Sequence, residues 1–222
     1  MTELDLRCYV ITAGHGRKVV EAAAAAAAGG AGIIQVREKS LGARALLDFT
    51  LEVARAVKAA NPMTRGVVDD FVEVAAAAQI REPGLVDGVH LGQDDLPVDL
   101  ARAILGPDAI IGLTTGTLEL VKAANDVAEW IDYIGAGPFR PTPTKDSGRA
   151  PLGLEGYPPL VETARMPIVA IGDVQPADVR ALAATGIAGV ALVRAVMGVN
   201  DPRAVVETVV AEFTAGMTKR PA

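Results

Sequence analysis

The stretch GIIQVREKSLGARALLDFTLEVARAVKAANPMTRGVVDD, residues 32–70, decides the fold. Its two ends, Gly32 to Val36 and Gly66 to Asp69, are short apolar runs rich in β-branched residues, the pattern of buried strands. Between them Leu46, Phe49, Val53 and Val57 fall on one face at helical spacing. Two such strands separated by a helix predict a parallel pair, because a parallel connection needs a crossover long enough to carry the chain back to the starting edge.

The same alternation extends in both directions. Runs at Cys8 to Thr12, Val86 to Leu91, Ala109 to Leu113, Ile131 to Ala136, Pro167 to Ile171 and Ala188 to Val193 bring the total to eight, each bounded by Gly, Pro, Asp or Thr. Their starts lie roughly 20 to 35 residues apart, about one strand, one helix and two loops. Helical faces recur at Leu118, Val121 and Val127 and at Val205, Val209 and Phe213. Asp201 can cap the last helix, and Pro202 suits its first position, where a missing N–H costs nothing. The run Ala22 to Ala28 reads as the first helix, with a small-residue face for close packing. Eight such units without a break in composition predict an α/β fold, a (β/α)8 TIM barrel, because a parallel sheet has to be covered on both faces or closed on itself. An open doubly wound sheet is the alternative. The barrel is expected to take residues 1–222 as a single domain with a core of 8–213, and residues 214–222 are expected to fray.

Bulk properties narrow the function. Half of the 222 residues are apolar and 22% are charged, a balance that supports a packed core. The net charge of −6 comes without a basic block, so nucleic acid is not an expected partner. No apolar run approaches the ~20 residues that span a bilayer, and Glu3 and Asp5 stand where a signal peptide needs cations, so no membrane partner and a cytoplasmic location are expected. Cys8, the single cysteine, lies in an apolar run and reads as a buried small hydrophobe.

In a parallel barrel the active site lies at the C-terminal strand ends. Chemistry-bearing residues collect there: Gln35, Arg37 and Lys39; Asp69 and Asp70; His90, Gln93, Asp94 and Asp95; Thr114 and Thr115; Asp173; Arg194. Cations beside two acidic pairs suit a polyphosphate ester with Mg²⁺ bridging carboxylates and phosphate oxygens. Singly, each of these residues also reads as a turn or cap. The loop GPFRPTPTKDSGRAPLG, residues 137–153, exceeds an ordinary βα connection and reads as a phosphate clamp or lid, with a solvated excursion as the alternative. Gly172 and Gly189 fit backbone phosphate binding by the last two loops.

Five motifs in this order carry a resemblance: QVREK at 35–39, VHLGQDDLP at 89–97, GLTTGT at 112–117, the GP and PTPTK elements within 137–145, and AIGDV at 170–174. Together they resemble the thiamine phosphate synthase family over Tyr9 to about Phe213. The resemblance implies a transferase that condenses a hydroxymethylpyrimidine diphosphate with a thiazole phosphate, or its carboxylated form, and releases pyrophosphate by dissociation. It implies Arg37, Lys39 and Lys145 as catalytic cations. Gln35, Val36, Arg37, Glu38 and Lys39 would hold the pyrimidine diphosphate, with Asp69 and Thr114 on its pyrimidine side. Asp70 and Asp95 would bind Mg²⁺. Thr142, Pro143, Thr144, Gly172, Asp173, Val193 and Arg194 would surround the thiazole phosphate, with Lys145 on the diphosphate. A homo-oligomer is a further implication.

Three positions depart from the family pattern: Asp69 for the usual Asn, Asp173 for a Gly, and Gly116 where His is frequent. A carboxylate at 173 would repel a phosphate unless the side chain turns away, with Arg194 compensating. The rival readings are a thiazole tautomerase, which would want a histidine acid/base at the mouth, and a silent barrel that binds thiamine intermediates.

Overall fold

The structure, a computed structural model, describes residues 4–141 and 148–217. The strands are β1 (Cys8–Ile11), β2 (Ile33–Val36), β3 (Arg65–Asp69), β4 (Gly88–Leu91), β5 (Ile110–Thr115), β6 (Tyr133–Ala136), β7 (Ile168–Ala170) and β8 (Gly189–Leu192). The helices are α1 (Arg17–Ala28), α2 (Ala43–Ala60), α3 (Val72–Arg81), α4 (Val98–Leu105), α5 (Leu118–Asp126), α6 (Tyr157–Thr163), α7 (Val179–Ala184), α8 (Arg194–Met197) and α9 (Pro202–Met217). All eight strands are parallel and close in sequence order, with β1 pairing β8 through Tyr9 and Ala191. The expected (β/α)8 barrel is therefore the observed one, and the open sheet is excluded. No described helix is long and apolar enough to cross a membrane.

Strand alternation sorts side chains into two layers. Tyr9, Ile11, Ile33, Val67, Tyr133, Val169 and Ala191 point inward and fill the barrel. Their neighbours Cys8, Val10, Ile34, Val68, Val89, Ile111, Ile134 and Val190 point outward against the helices. On α2 the expected face of Leu46, Phe49, Val53 and Val57 is buried. On α1 Val20, Ala23, Ala26 and Ala27 are buried, and the small alanine side chains let α1 pack against both α2 and α9. Asp201 Oδ1 accepts the Ala204 N–H at 3.1 Å, so α9 starts with the expected cap.

Several details differ from expectation. The strands expected from Gly32, Val86, Ala109, Ile131, Pro167 and Ala188 start one or two residues later and the one expected from Gly66 starts at Arg65, whereas β5 runs on through Thr115. The buried stripe of α9 is Val206, Val209 and Phe213, with Val205 half-buried beside it. The residues expected to begin a frayed tail, Thr214 to Met217, are helix, and the last five lie outside the described residues. The reason is Gly216, which is buried against α7: a Cβ there would lie 2.5 Å from Arg180 O and 2.6 Å from Ala183 Cβ. The contact is made by an absent side chain, which hydrophobic patterning does not register.

Gly216→Leu is therefore expected to cost about 1–3 kcal/mol in urea unfolding by overpacking the α7–α9 contact. A change within about 0.5 kcal/mol, as for a surface site, would contradict this packing.

Candidate active site

The chain leaving β2 is fastened to β1 by Thr12, whose Oγ1 accepts the Arg37 N–H at 2.9 Å. Strand parity then continues past the strand end. Arg37 and Lys39 turn over the mouth, where Arg37 Nε meets Asp69 Oδ2 at 3.2 Å and Lys39 Nζ meets Asp70 Oδ2 at 2.7 Å. Asp70 adopts a left-handed backbone, φ 65°, as its N–H turns to the His90 carbonyl at 2.9 Å. On the next strand end Asp95 Oδ2 accepts the Gly92 N–H at 2.6 Å. Desolvation raises the Asp95 carboxyl above the ordinary aspartate range, and the Asp70 charge and a hydrogen bond to Asp70 raise it further, against the Gly92 N–H and Lys39. Two carboxylates thus press on each other at the rim, with Lys39 as a counter-charge to both.

Beneath them is a cavity of about 460 Å³ with Gln35, His90 and Thr114 on its floor. Gln93 Nε2 donates to the Thr114 carbonyl at 2.5 Å. Across the mouth Arg149 Nη1 donates to the Thr115 carbonyl at 2.7 Å, lying over Gly116. Gly116 has φ 149° and a Cβ would meet the Gly137 carbonyl at 2.2 Å, so this backbone has no room for a side chain there.

A smaller cavity of about 110 Å³ adjoins the first, shares Arg37 and Ile171 with it, and is lined by Gly172, Asp173, Val193 and Arg194. Asp173 has φ 56°, which explains why Gly suits this position. Its Oδ1 is held by Arg194 Nη2 at 2.5 Å and Gln175 Nε2 at 3.3 Å, and its carbonyl accepts from Arg140 Nη1 at 3.2 Å. The charge introduced at 173 is therefore met by Arg194, and that at 69 by Arg37.

The structure thus gathers Gln35, Arg37, Lys39, Asp69, Asp70, Asp95 and Thr114 at one cavity, and Gly172, Asp173, Val193 and Arg194 at its neighbour. Two expected residues stand apart. Val36 points outward into the helix-facing core, 3% exposed. Glu38 shares that outward parity and is held by the Ser40 hydroxyl at 2.6 Å, the Ser40 N–H at 2.7 Å and His15 Nδ1 at 3.1 Å. The expectations on Thr142, Pro143, Thr144 and Lys145 lie outside the described residues. Tyr9 and Tyr133, which line the floor, went unmarked because tyrosine at an inward strand position reads as core. The facing Gly112, which leaves space for the Tyr133 ring, was the available signal.

A closed parallel barrel with cations, a carboxylate pair and a small adjoining pocket at its C-terminal mouth defines an enzyme that handles phosphorylated small molecules. The family model described as thiamine monophosphate synthase matches residues 8–196. The chain belongs to the thiamine monophosphate synthase family. It is 61% identical over 211 residues to a thiamine-phosphate synthase of Corynebacterium jeikeium, covering 95% of this chain and 96% of the relative. It is 56% identical to that of Corynebacterium efficiens, with 96% and 97% covered. Among solved structures, the thiamine phosphate pyrophosphorylase of Pyrococcus furiosus superposes with a TM-score of 0.82 at 32% identity, covering 96% of this chain and 98% of that one.

Two outcomes follow from the local geometry. Asp173→Ala keeps the left-handed strain and loses the Arg194 pair, whereas Asp173→Gly loses both, so the Gly variant should exceed the Ala variant by about 1 kcal/mol in chemical denaturation. Equal stabilities would mean that position 173 is unstrained. Glu38 is drawn down to about 2 by the Ser40 hydroxyl first, then the Ser40 N–H and His15. A folded value below the unfolded one stabilises the fold above pH ~4.5 and is lost as pH falls toward ~2. Ser40→Ala should raise the Glu38 titration by NMR and flatten that part of the stability profile; an unmoved titration would contradict the assignment.

Proposed function

We propose that the chain is a thiamine-phosphate synthase that joins hydroxymethylpyrimidine diphosphate to a thiazole phosphate, giving thiamine monophosphate and pyrophosphate. The observation that carries this reading is the pairing of the two cavities. One has cations and carboxylates suited to a diphosphate, the other is small and lined by Gly172, Asp173, Val193 and Arg194, and they meet at Arg37 and Ile171.

The bond from the pyrimidine methylene to the diphosphate oxygen breaks with its electron pair leaving on the diphosphate. The pyrimidinylmethyl cation is then captured by the lone pair of the thiazole nitrogen. Arg37 and Lys39 stabilise charge as it develops on the departing diphosphate, and Lys145 joins them from the clamp sequence. Gln35, Asp69 and Thr114 hold the pyrimidine, while the backbone of Gly172 and Asp173, with Val193 and Arg194, holds the thiazole phosphate. By the family resemblance Thr142, Pro143 and Thr144 would contact the thiazole phosphate, and Val36 and Glu38 would take part through their backbone. Holding both rings in attack geometry supplies much of the acceleration. A protein nucleophile is not needed, and Cys8 is unsuited to be one, fully buried with its thiol pushed up to about 12.

The carboxylate pair fits a divalent cation. Asp70 and Asp95 lie close enough to raise the Asp95 carboxyl, and Mg²⁺ is held by one or two carboxylates with substrate phosphates completing its shell. Bound there, Mg²⁺ would supply positive charge to the leaving diphosphate. A thiazole tautomerase is disfavoured by Gly116, where no acid/base side chain fits. Self-association and a cytoplasmic location are further proposals, resting on the family resemblance.

Purified protein with both substrates and Mg²⁺ should form thiamine monophosphate and pyrophosphate in equal amounts. Asp95→Ala or EDTA should lower the rate about 100-fold or more. A folded protein that binds thiazole phosphate and forms no product would overturn the reading.

A further inference from the structure

The cavity floor carries a continuous chain of side-chain hydrogen bonds that none of the roles above uses. Gln35 Nε2 donates to Tyr9 Oη at 3.0 Å, and Tyr9 Oη lies 2.9 Å from Tyr133 Oη. Tyr133 Oη lies 3.0 Å from His90 Nδ1, and His90 Nε2 lies 2.9 Å from Thr114 Oγ1. The chain crosses the barrel interior from β2 through β1, β6 and β4 to β5. Its middle is sealed, with Tyr9 and Tyr133 only 2% and 1% exposed. The fold makes space for it: the His90 and Tyr133 rings stack at 5.5 Å, and a Cβ on Gly112 would lie 2.2 Å from Tyr133 Cζ and 2.4 Å from His90 Nδ1.

Such a chain has a direction. An amide N–H can only donate and each hydroxyl carries one proton, so the first bond sets the sense of those that follow. Tyr9 accepts from Gln35 and passes its own proton to Tyr133. Tyr133 in turn donates to His90 Nδ1, which is then the bare nitrogen. The His90 proton sits on Nε2 and is given to Thr114 Oγ1, so the Thr114 hydrogen is offered to the mouth. At the opposite end, Gln35 Oε1 takes no hydrogen bond among the described residues and remains an acceptor for a ligand. Burial holds both phenols protonated: it raises Tyr9 well above the usual tyrosine range and raises Tyr133 as well, so the donors persist throughout the working pH range.

We propose that Tyr9 and Tyr133 are positioning residues that impose one donor–acceptor order across the floor, presenting Gln35 as acceptor and Thr114 as donor and so selecting a ring with an exocyclic amino group. The ligand half of this inference rests on the proposed function; the hydrogen-bond order does not. An amide with an unbonded partner could turn over and present its N–H instead, and the ring would then be read in the opposite sense. Tyr9 and Tyr133 tie the orientation of the amide to the His90 tautomer and the Thr114 hydroxyl, so the amide cannot turn over unless the whole chain reverses with it.

The order is read directly from ¹⁵N-histidine NMR at pH 8. The chain has two histidines, so His15→Gln leaves His90 alone in the spectrum. The expected result is a single Nε2–H tautomer, which becomes mixed in Tyr133→Phe. An Nδ1–H tautomer in the parent protein, or an unchanged single tautomer in the variant, overturns the proposal, and neither result depends on turnover. The second readout is selectivity, the inhibition constant of the 4-oxo pyrimidine diphosphate divided by the KM of the 4-amino substrate. Tyr9→Phe should reduce this ratio about 10-fold or more while the KM for thiazole phosphate stays within about twofold. A purely structural role would instead lower Tm and alter both substrates' constants with the ratio preserved. Should Tyr133→Phe fail to fold, the parent spectrum and the Tyr9→Phe ratio still decide. Absence of turnover in the parent protein would count against the function and leave the tautomer result standing.

Discussion

The pairing of β1 with β8 is the constraint on which the rest of the molecule depends. Cys8, Tyr9 and Val10 align with Val190, Ala191 and Leu192, and this one seam turns a row of parallel strands into a ring. A closed parallel sheet has no edge, and all its C-terminal ends share one rim. Residues as distant in sequence as Gln35, Asp95 and Thr114 therefore meet at a single cavity. The seam also brings Ile11 from the first strand and Ala191 from the last into both cavities.

Charge at that rim is balanced in pairs. Arg37 faces Asp69, Lys39 faces Asp70, and Arg194 faces Asp173. These partners are partly exposed, so such pairs contribute little to stability. Their value is in holding cations over the mouth without a ligand. Asp95 breaks the balance: its neighbour is another carboxylate, and desolvation and that neighbour raise its carboxyl. Under the proposed function a cation there would offset the cost of ionising it, and would thereby couple cation binding to phosphate binding. The two aspartates that depart from the family pattern, Asp69 and Asp173, fit this scheme, since each is matched by an arginine rather than left facing a phosphate.

Most of the architecture was legible because a parallel barrel buries both faces of every strand, so its strands read as apolar runs between turn residues. Strand ends were less so, since the flanking Ala, Ile and Val residues are as apolar as the strand itself. Within the site, period-two alternation separates residues that a contiguous motif lumps together. In QVREK the inward Gln35, Arg37 and Lys39 reach the cavity, whereas Val36 and Glu38 point away. The end of α9 was missed because Gly216 packs by lacking a side chain. The tyrosine chain was missed because a sequence does not show that Tyr9 and Tyr133, 124 residues apart, place their hydroxyls in contact.

The proposal that the rim takes a diphosphate together with a divalent cation is tested by calorimetry of inorganic pyrophosphate binding. With Mg²⁺ present the affinity should be about 10-fold or more tighter than in EDTA, and by reciprocity pyrophosphate should tighten Mg²⁺ binding by the same factor. Equal pyrophosphate affinity with and without Mg²⁺ would contradict the proposal and remove the cation-binding role of Asp70 and Asp95.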